Sequence, residues 1–148
     1  MSNENHLKGL ETLFLALADK TRLRLLNLMR ENEVCVCFFT EVLGESQPKI
    51  SRHLAYLRNA GIVSARRDGK WMHYKIDMPE DFYMGQILQD TLESLKSRVE
   101  MQADYNKLIS VCCAAEPTVT IARAPKPETF DESYMSFRKK DELETFLL

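Results

Sequence analysis

The stretch that decides the fold is residues 40–61, TEVLGESQPKISRHLAYLRNAG. Residues 40–43 predict a short helix closed by Gly44, because glycine tolerates the left-handed conformation of a helix C-cap. Ser46 is suited to cap the next helix, and Pro48 falls in its first turn, where a missing N–H is harmless. The expected buried stripe of this longer helix is Ile50, Leu54 and Leu57. A short helix, a tight turn and a longer helix predict a helix-turn-helix.

A β-hairpin is predicted directly after this motif. Residues 62–67 and 71–76 alternate apolar and polar side chains on either side of Asp68-Gly69-Lys70. An Asp-Gly pair between alternating segments is a strong hairpin signal. We therefore expect a two-stranded β-wing and, with the helices, a mainly α winged helix-turn-helix fold.

Amphipathic helices are predicted on both sides of this core. The first has one apolar stripe, formed by Leu7, Leu10, Phe14 and Leu17. Asp19 is suited to cap a second helix over residues 20–31, and residues 79–111 continue a long amphipathic pattern with an interruption expected near Gly85. Helices this long in a small chain need a partner surface, so we expect a homodimer through the first and last long helices.

Length and composition place these elements in one domain. A chain of 148 residues with 45% hydrophobic residues fits a single compact unit, assigned here to residues 1–113. Residues 114–148 hold three of the five prolines and predict a mobile tail. No apolar run approaches about 18 residues, and the N-terminus lacks the order of a secretory signal. We therefore expect a cytoplasmic protein with no membrane partner.

The charge of the chain is unevenly distributed. The net charge is -2, yet residues 46–75 carry seven basic residues and one acidic residue, a net +6 that leaves -8 for the remainder. Such segregation is an electrostatic footprint for phosphate backbones, although a solvated basic face has the same pattern. Combined with the helix-turn-helix, it predicts DNA as a partner.

The four cysteines form two close pairs, Cys35 with Cys37 and Cys112 with Cys113. In a cytosolic chain they are expected as thiols or metal ligands rather than as disulfides. Cys35 and Cys37 share a face only in an extended segment, and the β-branched and aromatic residues 34–39 favour an extended or distorted start. The alternatives are small buried apolar residues for the first pair and incidental thiols for the second.

Several motifs resemble those of the ArsR/SmtB family of metal-responsive repressors. Residues 17–23, LADKTRL, resemble its second helix, residues 47–58, QPKISRHLAYLR, its recognition helix, and residues 69–74, GKWMHY, its wing. Residues 33–37, EVCVC, are similar to the arsenic-site motif of arsenical-resistance operon repressors. The resemblance covers about residues 10–77. It implies a dimeric operator-binding repressor released by As(III) or Sb(III) as inducer, with no required cofactor.

The resemblance also implies where DNA is contacted. Base contacts are expected from Gln47, Ser51 and Arg52, whose side chains carry donors and acceptors suited to adenine and guanine. Lys49 and Tyr56 lie on the groove-facing side of the same helix on a helical wheel. Phosphate contacts, with one or two of the side chains merely solvated, are expected from the wing bases Arg66, Arg67 and Lys70.

The chain departs from the arsenic-site motif at Thr40, which stands where the motif has a third cysteine. Trivalent arsenic and antimony prefer three thiolates, so either Cys112 or Cys113 is expected to complete the site. Alternatively, each pair binds a monosubstituted arsenical, which has only two open valences. The family's zinc sites on the last long helix have no counterpart here, since the histidines are His6, His53 and His73.

Two other functions remain open at this point. A thiol-oxidation repressor of the same fold would form a disulfide in place of the bound ion. An enzyme of dithiol chemistry lacks a C-x-x-C at a strand-to-helix junction, lacks phosphate-cradling glycines, and leaves the recognition helix unexplained. We therefore expect a repressor and no catalysis.

Overall fold

The computed structural model describes residues 3–112 and 121–128. Its elements are α1 (Asn3–Leu17), α2 (Lys20–Leu28), β1 (Val34–Cys35), α3 (Val36–Leu43), α4 (Gln47–Asn59), β2 (Val63–Asp68), β3 (Trp71–Ile76), α5 (Phe82–Lys96) and α6 (Val99–Cys112). Helices α3 and α4 form the helix-turn-helix, and strands β2 and β3 form the wing. The predicted winged helix-turn-helix fold is confirmed.

Local capping interactions fix the ends of the helices as the sequence predicts. The amide of Arg22 donates to Asp19 Oδ1 at 3.0 Å, at the start of α2. The amide of Lys49 donates to Ser46 Oγ at 3.4 Å, at the start of α4. Gly44 ends α3 with a φ of +66°, a conformation that glycine adopts without steric cost. Gly44 and Ser46 thus bound the turn between the two helices of the motif.

The sheet contains one strand more than expected. The wing hairpin closes as predicted, with Asp68 opposite Trp71. Strand β1 adds to the other edge of β3, so the strand order is β1-β3-β2, with both pairings antiparallel. Cys35 thereby lies opposite His73. The backbone of Val34 and Cys35 is thus paired with the wing strand β3.

Helix α3 begins earlier than the sequence predicts. Residues 36–39 were expected to be extended or distorted, but they form the first half of the helix. Phe38 and Phe39 are fully buried in the core. Tertiary packing of these aromatic side chains outweighs the weak β preference of the segment.

The predicted long C-terminal helix is two helices, and its interruption lies at Ser97 rather than Gly85. Gly85 sits in the first turn of α5, where a glycine is tolerated. At the other end, Ser97 Oγ donates to the carbonyl of Ser94 at 2.9 Å, and the amide of Arg98 donates to the carbonyl of Leu95 at 3.0 Å. These contacts end α5, so α6 turns back and packs on α2 and α3.

The part of the predicted mobile tail that the structure describes lies on the domain. Within residues 121–128, Ile121 and Ala124 are buried in the same core as α2, α3 and α4. The domain boundary at residue 113 stays a prediction, and residues 114–120 and 129–148 lie outside the described residues. Within residues 3–112 and 121–128, no helix is long and apolar enough to cross a membrane.

Candidate functional site

The first cysteine pair lies at the junction between β1 and α3. Cys35 is the extended residue that precedes the helix, and Cys37 is in its first turn. This change of backbone conformation brings the two Sγ atoms to 3.4 Å. A regular helix would have turned the two side chains apart. The side chains are buried, with 0% and 8% exposure for Cys35 and Cys37.

The two thiols differ in pKa because one of them donates a hydrogen bond to the other. The S–H of Cys37 donates to the sulfur of Cys35, and this hydrogen bond lowers the pKa of Cys35 to about 7. Burial opposes this shift, while the backbone amides of Cys37 and Val36 support it. The same hydrogen bond, together with burial, raises the pKa of Cys37. At neutral pH one thiolate is therefore available as a metal ligand or nucleophile.

The spacing of the sulfur atoms suits two ligands of one soft ion. Two sulfurs each bonded at about 2.3 Å to a tetrahedral ion lie about 3.8 Å apart, close to the separation observed here. Thiolates are the ligands that soft ions select. Two ligands are thus assembled before any ion is bound.

In the part of the chain that the structure describes, no third ligand is assembled beside this pair. Among the described residues, no cluster of three or more His, Cys, Asp and Glu side chains is positioned to hold a metal ion. Cys112 is buried at the end of α6, the helix that packs on α3. Cys113 lies outside the described residues. The structure brings together Cys35 and Cys37 of the four expected ligands.

The recognition helix presents its predicted face. Ile50, Leu54 and Leu57 are buried, as the stripe predicts. Outside this stripe, Gln47, Ser51, Arg52 and Tyr56 are exposed, and Lys49 is partly exposed. Lys49 Nζ lies 3.0 Å from the Glu45 carboxylate one turn earlier. The five side chains expected to face DNA are therefore at least partly accessible to solvent in the protomer, with Gln47 and Ser51 at the flank of the outer face.

Arg22 fixes the recognition helix to the end of α1, a contact that sequence reasoning missed. Its Nη2 and Nε donate at 2.8 Å to the carbonyls of Leu15 and Ala16 in the last turn of α1. Its guanidinium lies 4.1 Å above the ring of Tyr56, and its Nη1 lies 3.4 Å from His53 Nδ1. The residue belongs to the motif LADKTRL, but no spacing in that motif indicates its partners.

The three basic residues of the wing differ in their surroundings. Arg67 and Lys70 are exposed near the hairpin turn, and Lys70 Nζ lies 4.9 Å above the Trp71 ring. Arg66 instead donates from Nε and Nη2 to one carboxylate oxygen of Glu33, at 3.0 and 2.5 Å. This ion pair lowers the pKa of Glu33. The sequence did not indicate it, because 33 residues separate the partners.

Comparison with known proteins places this geometry in one family. Residues 19–65 match the family described as bacterial regulatory protein, arsR family. The chain is 40% identical over 89 residues to the arsenical resistance operon repressor of Escherichia coli K12, a match that spans 60% of this chain and 76% of that protein. It is 55% identical over 65 residues to the arsenic resistance transcriptional regulator ArsR1 of Pseudomonas putida KT2440, across 43% of this chain and 51% of that protein.

The fold has a counterpart among solved structures. HlyU from Vibrio cholerae N16961 superposes with a TM-score of 0.54 at 26% identity, over 66% of this chain and all of that chain. The helix-turn-helix, the exposed recognition face and the repressor relatives agree, and they exclude the dithiol enzyme considered from the sequence. The chain belongs to the ArsR family and is a winged helix-turn-helix transcriptional repressor.

Proposed function

We propose that this repressor binds operator DNA as a dimer in the cytoplasm and dissociates when trivalent arsenic binds Cys35 and Cys37. The inducer is arsenite, antimonite or an organoarsenical. The observation that carries the proposal is the pair of buried sulfur atoms 3.4 Å apart at the start of the helix-turn-helix. Two relatives named for arsenic or arsenical resistance support the choice of ion.

The position of the pair provides the link from ion to DNA. Cys35 and Cys37 straddle the boundary between β1 and α3, so an ion bound to both sulfurs fixes the conformation of that boundary. Helix α3 leads directly into the turn that orients α4. Release follows if the ion binds the DNA-free conformation more tightly than the DNA-bound one.

The third thiolate is proposed to come from Cys112 or Cys113. Cys112 ends α6, which packs on α3, the helix that carries Cys37. The dimer offers a second route, in which the thiolate comes from the partner subunit. A monosubstituted arsenical needs neither thiol, since the first pair fills both of its open valences.

The DNA contacts are proposed as the sequence predicts them. Gln47, Ser51 and Arg52 read base edges in the major groove, and Lys49 and Tyr56 flank them. The basic residues of the wing, Arg66, Arg67 and Lys70, bind phosphates. Phosphate contacts position the repressor on the duplex without reading its sequence.

Operator titrations of cysteine variants test the proposal. Cys35→Ser and Cys37→Ser are expected to keep wild-type operator affinity and to lose release by arsenite, measured by fluorescence anisotropy with a phosphine reductant that does not chelate arsenic. The double variant Cys112→Ser/Cys113→Ser is expected to need more arsenite for release. Loss of operator binding in the first two variants would mark these thiols as core residues and contradict the proposal.

The same sulfur separation also favours a second candidate, a redox-sensing repressor. Hydrogen peroxide would take two electrons and two protons from the thiols, giving a disulfide and two waters. The sulfurs would then have to approach from 3.4 Å to about 2.05 Å. Release by peroxide that the phosphine reverses, without any release by arsenite, would establish this candidate in place of the first.

A further inference from the structure

We propose that Glu33 is a positioning residue that withholds Arg66 from DNA in the DNA-free repressor, and that an ion on the neighbouring thiols strengthens this hold. The coupling part of the inference rests on the proposed function. The claim that Glu33 withholds Arg66 requires only that the protein binds operator DNA. Together they give the dithiol site a route to the wing in addition to its route through α3.

The geometry of the sheet connects the Cys35 thiol to the Arg66 guanidinium through neighbouring side chains. Glu33 immediately precedes β1 and is two residues from Cys35, a spacing that puts both side chains on one face of an extended segment. Cys35 pairs with His73 on β3, and His73 pairs with Arg66 on β2. Residues that pair directly across antiparallel strands project to the same face. The thiol and the guanidinium are therefore joined through one row of cross-strand neighbours.

The contact between Glu33 and Arg66 is strong for one at the protein surface. Two N–H groups of the guanidinium donate to the same carboxylate oxygen, and both partners are charged. His73 Nδ1 lies 3.9 Å from that oxygen, and the His73 side chain is buried. The carboxylate thus sits between a fixed ring and the guanidinium, so Arg66 is held toward β1.

A phosphate must compete with Glu33 for the same guanidinium. Arg66 retains 56% side-chain exposure, so it can turn outward without unfolding the wing. The fork of N–H groups that binds a carboxylate also binds a phosphate. An ion on Cys35 and Cys37 fixes the extended segment that carries Glu33, which favours the internal partner.

A double-mutant cycle in the absence of inducer tests the withholding. Glu33→Gln is expected to tighten operator binding about two- to fivefold, which is the range of an exposed ion pair. In an Arg66→Gln background, Glu33→Gln is expected to change operator affinity no more than a control substitution does. Asp68→Asn is the control, because it removes a neighbouring wing carboxylate and reports the general effect of lost negative charge. A merely structural role for Glu33 would weaken binding instead. Equal effects of Glu33→Gln in both backgrounds, or no tightening, would overturn the inference.

The coupling is tested by the ratio of operator affinities without and with arsenite. Glu33→Gln is expected to reduce this ratio by about twofold, because losing the strengthened hold tightens binding more with arsenite than without it. Arsenic–thiolate absorbance follows whether arsenite still binds. If arsenite releases the wild type and Glu33→Gln with equal ratios, the coupling is wrong and the proposed function stands. If arsenite does not release the wild type, the proposed function and the coupling both fall, and the double-mutant cycle alone decides the withholding.

Discussion

At the scale of single residues, the sequence predicted what depends on near neighbours. The caps at Asp19 and Ser46 follow from side chains that reach amides three residues away, and both are present. The proximity of Cys35 and Cys37 was predicted, but its cause was not: an extended segment through both cysteines was expected, whereas Cys37 lies in the first turn of α3. The hydrogen bonds of Arg22 and Arg66 were not predicted, since their partners are placed by the fold rather than by spacing.

The acidity of the first thiol is predicted to depend on the second. Cys37→Ala removes the S–H donor, so the pKa of Cys35 is expected to rise from about 7 toward its ordinary value of 9.0, because the largest cause of the lowering is lost. Thiolate absorbance against pH measures this in a background with Cys112→Ser and Cys113→Ser. An unchanged midpoint would show that Cys37 does not set the acidity of Cys35.

At the scale of elements, the sequence predicted helices and strands by their periodicity but misplaced several helix boundaries. Helix α2, predicted to reach residue 31, ends at Leu28. Helix α3 starts at Val36 because Phe38 and Phe39 are needed in the core. The break at Ser97 carries neither Gly nor Pro, and it depends on how α6 packs. Strand β1 was missed because two residues are too short for a period of two to be visible.

Recognition helix and wing are predicted to respond differently to the loss of an arginine. Arg52→Ala on α4 is expected to weaken specific binding by about 1–3 kcal/mol and nonspecific binding by less, because a base contact discriminates between sequences. Competition titrations with operator and scrambled duplexes measure the two affinities. Equal losses on both duplexes would make Arg52 a phosphate contact.

Wing substitutions are predicted to change the salt dependence. Arg67→Ala and Lys70→Ala are each expected to weaken binding to all duplexes and to lower the slope of log affinity against log salt by up to about one. Affinities measured over a range of salt concentrations give the slope. A slope equal to that of the wild type would place the residue outside the interface.

The docking of α6 is predicted to depend on a partly buried ion pair. Arg24 on α2 donates to both carboxylate oxygens of Asp104 on α6, at 2.7 and 3.0 Å. Asp104→Ala is expected to lower the free energy of unfolding by about 1–3 kcal/mol, because Arg24 loses a charged partner in a desolvated setting. Urea denaturation measures this. Glu100→Gln is the control and should change stability little, since the Glu100 pair with Lys20 is exposed.

At the scale of the whole molecule, the sequence predicted the architecture because each of its parts has a strong local signal. The apolar stripe predicted on α4 is buried, whereas the stripe predicted on α1 is partly exposed. Leu13 and Ala16 face the core of the protomer, whereas Leu7 and Phe14 of the predicted stripe are 68% and 51% exposed. Gly9 lies beside Met84, so α1 packs near the start of α5, where the rings of Phe82 and Tyr83 are also exposed. Leu7 and Phe14 thus form an exposed apolar face on α1.

This apolar face is predicted to be the dimer interface. Phe14→Glu is expected to give monomers in analytical ultracentrifugation, because a buried carboxylate without a partner is costly at an interface. Operator affinity should then fall by about 100-fold or more, since the second half-site no longer adds to the first. Met78→Glu is the matched control, because Met78 is an exposed apolar residue in the loop between β3 and α5, outside the long helices. A Phe14→Glu protein that stays dimeric and keeps operator affinity would move the interface elsewhere.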